Sequence, residues 1–262
     1  MNAIEIIILG IIQGLTEFIP ISSSGHLVIA QNFFSGASEH LFLEFINVGT
    51  LAALLVFFRK RIAVIIRDIF VHKNYILARN IIITAVPAGA VGFVLSDFIG
   101  SAAFFGSLVV VMVTLATVGV VMVVLERLPK ASAIKDGEAL SKKRALVIGL
   151  IQVLALIPGV SRSGSTIIAG RLVGLNPAAA AEYSFLASIP IMVGVTLKIL
   201  ITDQAYLLDN ITLLIIGNVA AFVAGIVAIG FLMKYLARHS LAIFGWYRIS
   251  LAAVLAVILL VQ

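Results

Sequence analysis

Hydrophobic residues run through this chain in eight segments that short polar stretches separate. The segments are roughly 3–19, 41–58, 80–96, 102–125, 145–157, 178–200, 211–233 and 241–261. About 20 apolar residues carry a helix across the hydrocarbon core of a bilayer, so most of these segments predict membrane-spanning helices. Two of them, 3–19 and 145–157, are short for a span and continue into stretches rich in Pro, Gly and Ser.

The two short segments predict re-entrant helix–loop–helix units. FIPISSSGH follows the first segment and IPGVSRSGST follows the second. Unwound polar backbone at membrane depth is tolerated only where protein buries it or where it lines a cavity. We expect the apolar stretches 27–34 and 166–173 to be the returning arms. The pattern therefore predicts an all-α membrane protein with about six spans and two re-entrant units.

The composition agrees with a chain that lies almost wholly in or near a membrane. Hydrophobic residues make up 62% and charged residues only 11%, with a mean hydropathy of +1.20, whereas about a quarter of a soluble domain is charged. The chain has no cysteine, which excludes disulfides, thiolate metal sites and a cysteine nucleophile. Because no positively charged stretch precedes the first hydrophobic segment, we expect that segment to remain in the mature protein.

The charged residues orient the predicted spans. Three connections, 59–79, 126–144 and the one after 233, contain 14 of the 18 Lys and Arg residues. The opposite connections contain no Lys or Arg, and their charged residues are acidic: Glu39, Asp97, Asp203 and Asp209. Basic loops stay in the cytoplasm, so both termini should lie outside. Lys198, near the outer end of its span, fits this topology poorly.

The two polar loops belong to an internal repeat. GIIQGLTEFIPISSSGH at 10–26 aligns with GLIQVLALIPGVSRSGS at 149–165 at an offset of 139. The offset matches Gln13 with Gln152, Ser22 with Ser161, Ser24 with Ser163 and Gly25 with Gly164. Each copy precedes three spans, and because three is odd the second copy should enter the membrane from the opposite face, as in inverted-topology repeats whose broken helices build one site.

We therefore expect a single membrane domain over 1–262. It divides into a first repeat at about 1–126, a cytoplasmic linker at about 127–144 and a second repeat at about 145–262. The two polar loops are predicted to be halves of one buried site. Trp246 and Tyr247, near Arg248, are interpreted as an interfacial or packing cluster.

The second loop suggests anion binding. Arg162 lies between Ser161 and Ser163, and an arginine at membrane depth is a functional hypothesis by default. Its planar fork of donors suits phosphate oxygens. Backbone amides of the turn and a helix start near 165 would add further donors. The alternative is a structural arginine that pairs with a helix C-terminus or with Glu182.

The first loop offers a candidate nucleophile and a candidate base. Ser22, Ser23 and Ser24 precede His26, and a serine can attack when a base lies within hydrogen-bond reach. The alternative is that the serines cap a helix that starts near 26, with His26 as a satisfied polar group.

Gln13 and Glu17 share a face of the first helix because they are four residues apart. Glu17 could bind a divalent cation that bridges to phosphate, orient His26, or simply pair with Arg162. Together with the two loops, these residues form a buried phosphate-handling set. Its depth favours a lipid phosphate or diphosphate, either transported or hydrolysed.

QGLTEFIPISSSGH and PGVSRSG closely resemble the two signature segments of the undecaprenyl-diphosphate phosphatase family, also called the bacitracin-resistance family, and the similarity extends from end to end. The resemblance implies removal of the terminal phosphate of undecaprenyl diphosphate, which recycles the lipid carrier for cell-wall synthesis and confers bacitracin resistance. It also implies a divalent cation, Mg²⁺ or Ca²⁺, and a multi-pass protein of the cell (inner) membrane whose site opens outward.

The resemblance also assigns roles to residues. The acidic motif falls on Gln13 and Glu17, and since Gln13 is an amide, Glu17 is the main acidic group. Either Ser23 attacks with His26 as the base, or His26 itself attacks; Arg162 binds the diphosphate. We expect phosphate binding at both turns, by Arg162 together with Ser22, Ser24, Gly25, Ser161, Ser163 and Gly164.

Two other functions remain open from the sequence. A lipid-phosphate transporter or flippase on the same inverted-repeat scaffold is credible, and release of phosphate would distinguish it from a phosphatase. A non-catalytic lipid-binding module is disfavoured because Glu17, His26 and Arg162 are all retained. The expected partners are a polyprenyl diphosphate lipid and membrane lipids, with no nucleic acid and with a homodimer left open.

Overall fold

The computed structural model describes residues 2–31, 40–128 and 134–261, and its regular structure in these ranges is helical apart from one isolated bridge between Ile134 and Leu175. The α-helices are α1 (Ala3–Phe18), α2 (Ser23–Gln31), α3 (His40–Phe45), α4 (Asn47–Phe57), α5 (Arg59–Arg67), α6 (Ile76–Val94), α7 (Ser96–Ser101), α8 (Leu108–Leu125), α9 (Lys142–Val153), α10 (Arg162–Leu172), α11 (Pro177–Thr202), α12 (Gln204–Asp209), α13 (Ile211–Leu236) and α14 (Ala242–Val261). Glu39 and Lys130, whose charges entered the topology prediction, lie outside the described residues.

Within the described ranges, five helices are long and apolar enough to cross a membrane: α6, α8, α11, α13 and α14. A sixth span results if Leu41–Phe57 and Arg59–His72, which meet at a bend of 67°, count as one broken element. The bend falls where three basic residues begin α5, and a basic amphipathic helix is typical of a membrane surface. The prediction of a multi-pass, all-helical membrane protein is therefore confirmed.

The helices α2 and α10 begin earlier than their hydrophobicity predicts. α2 starts at Ser23 and α10 at Arg162, four residues before the expected apolar arms. Ser22 Oγ accepts a hydrogen bond from the backbone N–H of Gly25 at 3.2 Å, and the serine before α10 caps that helix in the same way. Because capped polar residues form each first turn, hydrophobicity alone places the helix starts too late.

Each short first helix packs against a long helix from the other half of the chain. α1 runs along α13, and α9 runs along α6. Gly10 and Gly149, which the offset of 139 relates, lie at these contacts. A Cβ at Gly10 would be 2.5 Å from the carbonyl oxygen of Gly217, and one at Gly149 would be 2.7 Å from that of Thr84. These close approaches set the positions of the turns that follow α1 and α9.

The last helix, α14, delivers side chains to both turns. It packs along α8 at Gly119 and Gly245, where a Cβ on either glycine would lie within 2.8 Å of the other's carbonyl oxygen. The close backbone contact fixes the position of α14. Farther along this helix, Tyr247 reaches His26 of α2 and Arg248 reaches both turns. Helices from both halves of the chain therefore surround one polar region.

Candidate active site

The two polar turns have the same local structure. Ser22 and Ser161 have φ angles of 78° and 77°, in the left-handed region that non-glycine residues rarely adopt. Ser22 Oγ lies 3.3 Å from Ser24 Oγ, and Ser161 Oγ lies 3.2 Å from Ser163 Oγ. Local strain of this kind costs about 1–3 kcal/mol per residue and concentrates at functional sites. The repeat that the sequence shows at these positions is thus also a repeat in backbone geometry.

The carboxylate of Glu17 joins the two turns. Its Oε1 accepts a hydrogen bond from Nη2 of Arg162 at 2.5 Å, and its Oε2 accepts one from Ser23 Oγ at 2.6 Å. Ser23 and Arg162 occupy equivalent positions at the offset of 139, so equivalent residues of the two copies meet on one acid. The side chains of Glu17 and Arg162 are only 12% and 17% exposed, and such shielding strengthens the attraction between their charges.

Arg162 keeps a donor that the protein does not use. Its Nη1 is buried and has no hydrogen-bond partner among the described residues. A buried donor without a partner costs about 1–3 kcal/mol, and this one lies at the N-terminus of α10, where helix dipole and backbone amides favour an anion. The arrangement can therefore accept a phosphate oxygen.

Gln13 is buried and holds Glu17 from the side of α1. Its Nε2 donates to Glu17 Oε2 at 3.1 Å and to Asn47 Oδ1 at 2.6 Å. Asn47 in turn donates from Nδ2 to the carbonyl oxygen of Leu43 at 3.1 Å, which fixes its amide. The sequence did not indicate Asn47 as a site residue, because the second copy of the repeat has no polar residue at the equivalent position.

His26 forms its hydrogen bonds with groups other than Ser23. Nδ1 lies 2.7 Å from the carbonyl oxygen of Ser22, and Nε2 lies 2.8 Å from the hydroxyl of Tyr247. The two ring nitrogens are thus both engaged elsewhere, and the hydroxyl of Ser23 is engaged by Glu17. The structure brings Ser23 to Glu17, and not to His26 as the sequence suggested.

Arg248 clamps the two turns together. Its guanidinium is fully buried and donates from Nη1 to the carbonyl oxygen of Pro20 at 3.0 Å. Nη2 donates to the carbonyl oxygens of Val160, at 3.0 Å, and of Gly159. No role was predicted for Arg248, which was noted from the sequence only as a neighbour of Trp246 and Tyr247. The available signal was an arginine inside an apolar span, which is rarely without function.

The alternative partner that the sequence offered for Arg162 is used by another arginine. Glu182 Oε1 accepts from Arg61 Nε at 3.0 Å, and Arg61 also pairs with Asp136 at 2.9 Å. This cluster links α5, the linker and α11, and it belongs to a different part of the protein from the turns.

The oxygen atoms at Glu17 suit a cation only when a bound ligand supplies further oxygen atoms to coordinate it. The part of the chain that the structure describes has no group of three or more His, Asp or Glu side chains that could hold a metal ion. One carboxylate, with the amide of Gln13 beside it, is a hard-oxygen set of the kind Mg²⁺ uses when substrate phosphates complete its shell. The residues therefore fit a cation shared with a bound diphosphate, and not a preassembled metal centre.

Known proteins resemble the chain over nearly all of its length. A family model described as Bacitracin resistance protein BacA matches residues 6–254. A Paramagnetospirillum magneticum protein named Undecaprenyl-diphosphatase 2 is 36% identical, covering 99% of this chain and 100% of that protein. Undecaprenyl-diphosphatase 1 of Clostridioides difficile is 39% identical, covering 97% of this chain and 95% of that protein. The similarity therefore includes both turns and all the helices that carry the site.

Proposed function

The chain belongs to the bacitracin resistance protein BacA family, and from this membership and its site we infer that it is an undecaprenyl-diphosphatase. It is a membrane hydrolase that converts undecaprenyl diphosphate into undecaprenyl phosphate and inorganic phosphate. The reaction recycles the lipid carrier and confers bacitracin resistance. The observation that carries the reaction is the carboxylate of Glu17, which contacts a serine hydroxyl and an arginine at once.

We propose that the diphosphate binds at Arg162 and at the two capped turns. The unused Nη1 of Arg162 supports this assignment, as do the hydroxyls that surround the turns: Ser22, Ser24, Ser161 and Ser163. Gly25 and Gly164 belong to the first turns of α2 and α10, where their backbone N–H groups donate to the capping serines. An anionic ligand competes with Glu17 for the guanidinium, so its arrival weakens the ion pair and leaves Glu17 freer to act on Ser23.

We propose Ser23 as the nucleophile and Glu17 as its base. Ser23 Oγ donates to Glu17 Oε2 at 2.6 Å, so the proton has an acceptor within reach as Oγ attacks the terminal phosphorus. The bond from phosphorus to the bridging oxygen breaks, and the lipid monophosphate leaves. Water then attacks the phosphoserine and gives a proton to Nε2 of His26, while Ser23 takes its proton back from Glu17 as the bond from Oγ to phosphorus breaks and inorganic phosphate leaves. The alternative, direct attack by His26, has less support because Ser23, unlike His26, contacts the Glu17–Arg162 pair where the diphosphate is proposed to bind.

The nature of the covalent intermediate separates the two nucleophiles. Acid quenching during turnover of lipid labelled in the terminal phosphate should trap acid-stable, alkali-labile label on Ser23, and Ser23→Ala should trap none. Since phosphohistidine has the opposite stability, acid-labile label that persists in Ser23→Ala would identify His26 as the nucleophile instead.

We propose that a divalent cation, Mg²⁺ or Ca²⁺, is held by Glu17 and Gln13 together with the phosphates of the lipid. The cation would offset the negative charge of the diphosphate, as in other phosphoryl transfers. The donor set at Glu17 supports this role only while the lipid is bound, which predicts weak binding of the cation to the free protein.

We propose the following membrane arrangement for the site. The units α1–α2 and α9–α10 are re-entrant, the two halves form an inverted repeat, both termini lie outside, and the site opens towards the outer leaflet of the inner membrane. The basic residues of 59–79 and 126–144 support this orientation. The packing of α1 on α13 and of α9 on α6 supports the exchange of helices between halves.

Release of inorganic phosphate from undecaprenyl diphosphate tests the function. The purified protein in detergent micelles should release phosphate with Mg²⁺ or Ca²⁺ present, and a chelator should abolish the release. A folded protein that binds the lipid but releases no phosphate under either condition would contradict the hydrolase and favour the transporter.

A further inference from the structure

Tyr247 meets the imidazole of His26 in two ways. Its hydroxyl lies 2.8 Å from Nε2, and its ring is nearly parallel to the imidazole, with centroids 5.8 Å apart and planes 8° apart. The two residues come from opposite ends of the chain, α2 and α14. Tertiary packing of α14 beside α2 therefore brings a phenol hydroxyl to a ring nitrogen of His26.

The hydrogen bonds of His26 define its tautomer. A backbone carbonyl oxygen can only accept, so the contact between Nδ1 and the carbonyl of Ser22 requires the proton on Nδ1. Nε2 of the neutral ring then has a lone pair and accepts from the hydroxyl of Tyr247. The basic nitrogen of His26 therefore has a definite position, and one phenol occupies it.

We propose that Tyr247 is a positioning residue that holds His26 as the Nδ1-protonated tautomer. Its hydroxyl fixes the orientation of Nε2 and shields this nitrogen from water until Nε2 acts as a base. The proposal rests on the inferred hydrolase, since it assigns Tyr247 an effect on the step that His26 serves. Without the phenol, the ring of His26 keeps only the bond to Ser22, about which it can tilt, and Nε2 is open to water. Tyr247 acts only through Nε2 of His26.

Tyr247→Phe tests the proposal because phenylalanine keeps the aromatic ring and removes only the hydroxyl. We expect kcat for phosphate release to fall about tenfold with KM changed less than about twofold, the size of effect that one hydrogen bond provides. We also expect diethyl pyrocarbonate, which acylates a free imidazole lone pair, to modify His26 about fivefold faster in the variant. Peptide mass spectrometry reads the modification at His26 separately from the other three histidines.

Tyr235→Phe is a matched control. Tyr235 is stacked on His239 with centroids 4.4 Å apart, but Nδ1 of His239 contacts the backbone oxygen of Tyr235 and not its hydroxyl. We therefore expect this variant to leave both kcat and the rate of His26 modification unchanged.

The two measurements separate the possible outcomes. A lower kcat with faster modification of His26 supports the proposal. It is overturned if either quantity stays at the wild-type value in Tyr247→Phe, because the hydroxyl would then not link exposure of Nε2 to catalysis. If the wild type releases no phosphate, the proposed hydrolase fails, whereas the modification rates still decide whether Tyr247 covers Nε2.

Discussion

Glu17→Gln should lower kcat for phosphate release by about a thousandfold or more. The glutamine is nearly the same size, so the helix and its packing remain. What disappears is the negative charge, which accepts from Ser23 and Arg162 and would hold the cation. A neutral amide is too weak a base to take the serine proton, and it offers no charge to a divalent ion.

The measurement is phosphate release under saturating lipid and Mg²⁺, with thermal unfolding to confirm that the variant is folded. Glu182→Gln is the matched control, since Glu182 also forms an ion pair with an arginine but lies in the cluster around Arg61. That control should stay within about twofold of the wild type, because the half-buried pair of Glu182 and Arg61 lies away from both turns. Glu17→Gln with more than a tenth of wild-type kcat would exclude Glu17 as the base.

The sequence predicts the helical framework well because a bilayer imposes strict rules on composition. The segments 211–233 and 241–261 correspond closely to α13 and α14, since apolar spans end where charged or turn residues begin. The starts of α2 and α10 were misplaced because their first turns are polar, and only the capping by Ser22 and Ser161 makes them helical.

The sequence likewise predicts some features of the candidate site and not others. Glu17, Ser23 and Arg162 were all indicated by the sequence, because the repeat marks both loops and an intramembrane charge is conspicuous. Which groups pair could not be predicted, since the contact between Ser23 and Glu17 depends on how the turn bends after α1. Asn47 and Tyr247 come from helices outside the two loops, and only tertiary packing brings them to the site.

Arg248 shows most clearly how the fold assembles the site. The carbonyl oxygens that it binds belong to the turn after α1 and to the turn after α9. Neither turn has regular secondary structure to satisfy these carbonyls, and a buried carbonyl without a donor costs about 1–3 kcal/mol. One buried arginine therefore donates hydrogen bonds to carbonyl oxygens of both turns and fixes the distance between Glu17 and Arg162.

Arg248→Met should consequently remove both stability and activity. Methionine fills much of the volume but donates no hydrogen bond, so carbonyls of both turns are left buried and unpaired. We expect a loss of about 3 kcal/mol, seen as a fall of about 10 °C in Tm, and a loss of at least about a hundredfold in kcat/KM because the turns no longer hold Glu17 against Arg162. Thermal unfolding and phosphate release, measured well below the lowered Tm, give the two quantities.

Arg171→Met separates a loss of fold from a loss of the site. Arg171 is also buried in a helix, donates to the carbonyl oxygen of Leu175 at 2.9 Å and lies 3.7 Å from Glu126. Neither of these contacts within the described residues involves either of the two polar turns. Its replacement should lower Tm by a comparable amount, since a buried carboxylate loses its partner, and leave kcat/KM of the folded protein within about threefold. If the two variants lose activity in proportion to Tm alone, Arg248 only stabilises the fold; if Arg248→Met loses far more, the clamp is what aligns the two halves of the site.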